Sequence, residues 1–250
     1  MSDWGSATTE EIASRLGVGA VALLPCGSTE AHGPHLPLAT DVVIARGIAR
    51  RAADRLRARG VDAIVLPPLA YSVTEFVRAF AGTISVKAAT IGALIEEICE
   101  SALHQGVRVV ALVNGHLEPD HARMLKDVAA RVSAKGRGAV IFPDYRRPPT
   151  VAALGREFGE GGGHGGGYET ALVLAEEPSL VKDDVRASLP ANRVDIAEKI
   201  RAGAGDARAA GGARAYFGDP AAATAAEGER LYAVLAEFVD RAVGDALAAR

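Results

Sequence analysis

Glu30 and His32 stand two positions apart within residues 27–41, GSTEAHGPHLPLATD, directly after the apolar run VALLPC. In an extended backbone, side chains at that spacing leave the same face. Asp41 follows beyond a stretch stiffened by Pro34 and Pro37, just before a helical pattern. There it can cap the helix or turn its carboxylate back into the loop. His116 and Glu118 repeat the spacing in reverse after Asn114 and Gly115, where glycine allows a sharp turn. Two imidazole–carboxylate pairs and one further aspartate are the set that two divalent ions about 3.5–4 Å apart require, one carboxylate bridging them and a water between. Imidazole nitrogen with carboxylate oxygen suits Zn2+, and a carboxylate-rich position also accepts Mn2+ or Fe2+.

The elements that must position these residues are legible as alternation. VALLPC, residues 63–69 (AIVLPPL), 107–115 (VRVVALVNG) and 138–145 (GAVIFPDY) are short apolar runs bounded by Gly or Pro and read as strands. Helical patterns fill 41–59, 87–105 and 119–135, with Gly60, Gly106 and Gly136 placed as left-handed caps. In the second of these, Ile91, Leu94, Ile95 and Ile98 fall on one face and Glu96, Glu97 and Glu100 on the other. Continuous apolar strands alternating with helices predict a mostly parallel sheet covered on both faces, a three-layer α/β/α sandwich. Ligands bind such sheets beyond the carboxyl ends of the strands, where residues 27–41 and 114–120 both lie. Residues 159–167, GEGGGHGGG, surround His164 with glycine; residues 168–177 and 222–249 read as helices. The polar segment 182–220 has no clear pattern and is expected to cover the site or to join a subunit contact. No repeat divides the chain, so residues 1–250 read as one domain.

Composition narrows the function. The chain of 250 residues is 49% hydrophobic and 24% charged with a net charge of −3, the balance of a soluble globular protein and no footprint for nucleic acid or an anionic membrane. Two cysteines without CxxC spacing, Cys26 and Cys99, give no disulfide framework and point to a reducing cytoplasm. The N-terminus has no secretory-signal pattern, and no apolar run approaches the roughly 20 residues that span a bilayer. Cys26 reads as a small buried strand residue, His121 as an ordinary residue of a helix's first turn, and His35 as packing beside the loop or reaching substrate. Tyr71, Glu75, Phe76 and Phe80, with Tyr145 and Arg146, could line a pocket.

GSTEAHGPHLPLATD, VNGHLEPD and HGGGYETALVLA resemble, in the same order, the three signature segments of the creatininase (creatinine amidohydrolase) family. The resemblance implies a creatininase-like α/β/α fold, commonly hexameric, with a two-metal centre that hydrolyses carbon–nitrogen bonds in amides, often cyclic ones. Carried over residue by residue, it puts Glu30, Asp41 and His116 on one ion. It puts His32, Asp41 and Glu118 on the second, with Asp41 as the bridge. His164 matches the family's proton-shuttling histidine. Glu169, in YETA, matches a further acid that either completes the second metal or holds a ligand in place. The expected cofactors are two divalent ions per subunit, Zn2+ first, Mn2+ or Fe2+ as alternatives, and the expected partner is a small amide.

The sequence also departs from the family pattern. Creatininase holds its substrate with tryptophans near the shuttling histidine; here the only tryptophan is Trp4, and Leu117 stands where an aromatic would line the pocket. Family peptidases and formamide deformylases follow their Asn–Gly–His or Asn–Ala–His with two glycines, where this chain has LEPD. Those activities, and a catalytically idle metal-binding member, are the alternatives.

Overall fold

The computed structural model describes residues 3–159 and 163–249. Of the glycine-rich run around His164, positions 160–162 therefore lie outside the described residues. The first elements are α1 (Thr9–Leu16), β1 (Val21–Cys26), α2 (Thr40–Ala58), β2 (Ala63–Val65), α3 (Ala88–His104), β3 (Val109–Asn114), α4 (Pro119–Ser133) and β4 (Ala139–Ile141). After them come α5 (Thr150–Leu154), α6 (Arg156–Gly159), α7 (Gly167–Glu176), α8 (Asp183–Ala187), α9 (Ile196–Arg201) and α10 (Ala225–Ala248).

The four strands form one parallel sheet in the order β2-β1-β3-β4. The period of two sorts the central strands between the layers. Val21 and Leu23 of β1, with Val109, Ala111 and Val113 of β3, pack against α2, α7 and α10. Ala22, Leu24 and Cys26, with Val110 and Leu112, pack against α3 and α4. Both central strands are buried along their whole length, as their unbroken apolar character requires. The result is the three-layer α/β/α sandwich.

Two runs pair over less than their apolar length. β2 and β4 are three residues each, because Pro67, Pro68 and Pro143 have no N–H to give a ladder. The β2 run still follows β1: Leu66 N–H donates to the Leu23 carbonyl (2.9 Å) and Leu69 N–H to that of Pro25 (2.9 Å). On α3 the buried face is shifted from the expected one. Leu94 is 46% exposed, while Cys99, Ala102 and Leu103 are buried.

The strand ends place the site. Cys26 and Asn114 are register partners, so the loops that follow them leave the carboxyl edge side by side. The first turn of α2 closes over both. A Cβ on Gly115 would collide with the Asp41 carbonyl oxygen, and one on Gly27 would lie 2.6 Å from the Val42 nitrogen. Glycine at both strand exits is what lets Asp41 approach the sheet.

The polar segment beyond α7 lies over these loops, tied by long-range backbone bonds. Lys182 N–H donates to the His35 carbonyl (2.8 Å), Ala207 N–H to Phe76 (2.8 Å) and Phe217 N–H to His164 (2.8 Å). Its apolar residues Ala207, Ala210, Ala215 and Phe217 form a small cluster with Ala31 and Val77. Among the described residues, no helix is long and apolar enough to cross a membrane.

Candidate metal centre

Two loops and the first turns of two helices meet above the sheet. The loop after β1 contributes Glu30 and His32, the first turn of α2 contributes Asp41, the loop after β3 contributes His116, and the first turn of α7 contributes Glu169. All five are at most 2% exposed. Two triads with metal-ligand spacing share Asp41: Glu30, Asp41 and His116, and His32, Asp41 and Glu169. In the first, His116 Nδ1 lies 2.9 Å from Asp41 Oδ2 and 3.3 Å from Glu30 Oε1. In the second, His32 Nε2 lies 3.1 Å from Asp41 Oδ1 and 3.3 Å from Glu169 Oε2. A third triad, Glu30, His32 and His164, borders both.

Asp41 does not cap its helix. One oxygen accepts from Ser28 Oγ (2.7 Å) and faces His116; the other faces His32. Glu30 accepts from Thr74 Oγ1, and its N–H donates to the Leu38 carbonyl (3.0 Å), which fixes the loop across its own span.

Backbone carbonyls select which nitrogen of each ring faces the centre. His32 Nδ1 lies 3.2 Å from the Glu30 carbonyl, and His116 Nε2 lies 2.7 Å from that of Val73. A carbonyl can only accept, so these nitrogens carry the hydrogens. A neutral His32 then presents the Nε2 lone pair, and a neutral His116 the Nδ1 lone pair, to carboxylate oxygens. Acceptors that face acceptors need a cation or a proton between them. Asp41 Oδ1 and His32 Nε2 show this directly: both are buried, and neither has a hydrogen-bond partner although they are 3.1 Å apart.

The electrostatics agree. Burial alone would lower the His32 pKa, but the carboxylates of Asp41, Glu169 and Glu30 outweigh it and raise it to about 10. Burial likewise works against a charged His116, and Glu30 and Asp41 overcome it to push its pKa well up. Burial raises Glu169 to about 8, against the pull of His32. Without a metal the site thus gathers protons to offset three buried carboxylates. Mixed imidazole and carboxylate donors around one shared aspartate fit divalent cations, which would displace those protons.

The resemblance implies Glu118 on the second ion and leaves open whether Glu169 completes that ion's set. Glu118 lies outside the three triads. Its carboxylate accepts the backbone N–H groups of Glu75 (3.0 Å) and Phe76 (3.3 Å). Glu169 takes the place in the second triad, with one oxygen also accepting the Gly165 N–H at 2.7 Å. His164 keeps 16% side-chain exposure, more than any residue of the two triads that share Asp41. Its Nε2 donates to the Ala31 carbonyl (2.9 Å), leaving Nδ1 toward Glu30 Oε1 at 3.6 Å, and its ring stacks on His32 at 4.4 Å. Burial, then the neighbouring His32, lowers its pKa to about 4, so it is neutral near pH 7.

The remaining candidates fall outside the ligand set. His35 is fully buried and bonds Thr170 Oγ1 on α7 at 2.9 Å. Cys26 is buried in β1 and a free thiol. Phe76 and Phe80 pack on the small cluster around Phe217, while Tyr71 and Glu75 are exposed. Tyr145 is buried with its hydroxyl donating to the Asn114 carbonyl (3.2 Å), and Arg146 pairs with Asp144 (2.8 Å). Sequence reasoning missed Ser28, Thr74 and Asn114, which hydrogen-bond Asp41, Glu30 and His116, and Ser72, which bonds His121. Hydroxyls and amides at strand exits are too common to signal this without the fold.

The family model described as "Creatininase: Creatinine amidohydrolase" matches residues 5–243. A "Mycofactocin precursor peptide peptidase" of Mycobacterium ulcerans (strain Agy99) is 34% identical over 226 residues, 88% of this chain and 82% of that protein. A "Creatinine amidohydrolase" of Pseudomonas putida is 29% identical over 198 residues, 72% of this chain and 74% of that one. The crystal structure of a creatinine amidohydrolase superposes with a TM-score of 0.75 at 25% identity, covering 97% of this chain and 96% of that one. The chain therefore belongs to the creatininase family of hydrolases that act on amide carbon–nitrogen bonds.

Proposed function

We propose that this protein is a dinuclear-metal amidohydrolase that cleaves a C–N bond of a small amide with metal-activated water. The observation that carries the reading is the pair of buried triads sharing Asp41, with imidazole lone pairs turned onto carboxylates. Glu30, Asp41 and His116 would hold one divalent ion and His32, Asp41 and Glu169 the other, Zn2+ by donor type, with Mn2+ or Fe2+ also compatible. When bound, the ion pair supplies a water of lowered pKa and positive charge for the carbonyl oxygen. Asp41 binds both sites and so sets their separation. His164, neutral and partly exposed, takes the proton at Nδ1 and returns it to the departing nitrogen, which is a poor leaving group unless protonated. Its Nε2–H on the Ala31 carbonyl keeps Nδ1 aimed inward. Glu118 acts one step back, by holding the backbone at Glu75 and Phe76 beside Thr74 and Val73.

The relative at 34% identity favours a second reading, in which the scissile amide is a peptide bond. Cyclic amides, formamides and short peptides assayed side by side with metal-loaded protein separate the two. Hydrolysis of none of them, with two ions bound, would leave the chain a metal-binding member without this chemistry. The family resemblance also supports a homo-oligomer, for which sedimentation is expected to show a species larger than the 25.8 kDa chain, and the two unpaired cysteines support a reducing cytoplasm.

A further inference from the structure

His121 reads from sequence as an ordinary residue in the first turn of α4, yet it is 1% exposed and lies in a closed chain of hydrogen bonds. Asn114, the last residue of β3, pairs with both backbone groups of His116. Its Oδ1 accepts the His116 N–H (2.8 Å) and its Nδ2 donates to the His116 carbonyl (2.6 Å). That double pairing fixes which end of the amide is oxygen, since an N–H cannot accept and a carbonyl cannot donate. The same Oδ1 lies 2.9 Å from His121 Nε2, which must then carry a hydrogen. The other nitrogen, Nδ1, is left to accept from Ser72 Oγ. Ser72 adjoins Val73, whose carbonyl takes the His116 Nε2–H at 2.7 Å. The chain closes: Ser72, His121, Asn114, His116, Val73. The two rings sit edge to face with centroids 4.9 Å apart.

We propose that His121 is a positioning residue for His116, one that locks the Asn114 amide and so keeps His116 Nδ1 turned toward Asp41 and Glu30. Gly115 adds to the need for it. That residue separates Asn114 from His116 and packs against α2 with no side chain to hold the turn, so the Asn114 bracket must hold it. Without the Nε2–H of His121, the amide loses a donor at Oδ1 in a buried site, and the His116 turn loses its brace. The triad that suffers is Glu30, Asp41 and His116. His32 and Glu169 share none of these bonds.

The inference rests on the metal reading for its consequence, and the test separates the two. His121→Phe keeps the ring volume and removes the donor; His121→Gln supplies an amide N–H in its place. Affinity for Co2+ is measured by competition with a chromophoric chelator, for each of the two ions. In His121→Phe one ion is expected to weaken by roughly 10–100-fold, the range for lost outer-shell partners, while the other is unchanged and His121→Gln recovers most of the loss. Unchanged affinity for both ions, or equal loss of both without recovery in His121→Gln, overturns the proposal. If His121→Phe does not fold, Ser72→Ala takes its place, with several-fold weakening of the same ion expected and no weakening contradicting it. If the wild type binds no ion, the metal reading fails on its own. The positioning role is then judged from the His116 Nε2–H proton resonance of the metal-free protein. Protection from exchange in wild type and His121→Gln, and its loss in His121→Phe, supports the role; equal protection in all three refutes it.

Discussion

The two sides of the centre are built differently. On the His116 side, Ser28, Asn114, His121 and Thr74 give ligands or their neighbours hydrogen-bond partners, and the ring sits between strand-end loops. On the His32 side, His32 Nε2 and Asp41 Oδ1 have no such partner, and burial holds Glu169 up to about 8. The first side is preorganised by a polar network in the sheet edge. The second depends on α7 and the His164 segment being packed against the β1 loop, which brings Glu169 and His164 to His32. The contrast teaches that a ligand set can be assembled half by local geometry and half by tertiary closure.

Several changes probe the contrast. Asp41→Asn removes the ligand common to both sides, so metal analysis should show both ions lost and amide hydrolysis should fall by on the order of 10³-fold or more, about 4 kcal/mol of barrier. Retention of either ion at wild-type affinity would contradict the shared role. His164→Ala should lower kcat by roughly 10²–10⁴-fold while leaving metal content intact, since its place is proton transfer. Loss of an ion in that variant would make His164 a ligand.

The two glutamates form the next test. Glu169→Gln should reduce bound metal from two ions to one, whereas Glu118→Gln should keep both and lower kcat/KM about tenfold through the loop it holds. The reverse pattern would restore Glu118 to the second ion. Gly115→Ala forces a methyl against the Asp41 carbonyl and should destabilise by about 1–3 kcal/mol, read by calorimetry as a lower Tm.

The smallest effect is the pH dependence of the metal-free protein. His32 is raised from 6.5 to about 10, so the stability it contributes is complete below its unfolded value and is lost as pH rises through the folded one. Glu169, raised from 4.5 to about 8, acts with the same sign over a lower window. Metal-free Tm should therefore fall between about pH 6 and 9, and metal should flatten the slope. A metal-free Tm that rises over this range would contradict the proton-gathering site.

Much of this was legible beforehand, for physical reasons. Apolar runs bounded by Gly and Pro mark buried parallel strands, and their carboxyl ends mark where chemistry gathers. Apolar runs are longer than the paired strands where prolines carry the chain along the sheet without pairing, as at Pro67 and Pro68. Leu94 is exposed despite its spacing, because an apolar residue at the border of a helical stripe has the same spacing as one inside it. Spacing can show that Glu30 and His32 share a face. It cannot choose between Glu118 and Glu169, because two backbone amides from residues 75 and 76 hold the first away from the triads. For residues 182–220 a cover or a subunit contact could be expected but not the path, because long-range backbone bonds hold the segment and no helical or strand period marks it.

The central claim is that two divalent ions share Asp41 between Glu30–His116 and His32–Glu169. Crystals soaked with Mn2+ or Zn2+ and measured at the metal absorption edge test it most directly. The account predicts two anomalous peaks per chain flanking Asp41, with Glu169 and not Glu118 at the peak beside His32. A single peak away from Asp41, or fewer than one bound ion per chain with Glu30, His32 and His116 intact, would contradict it.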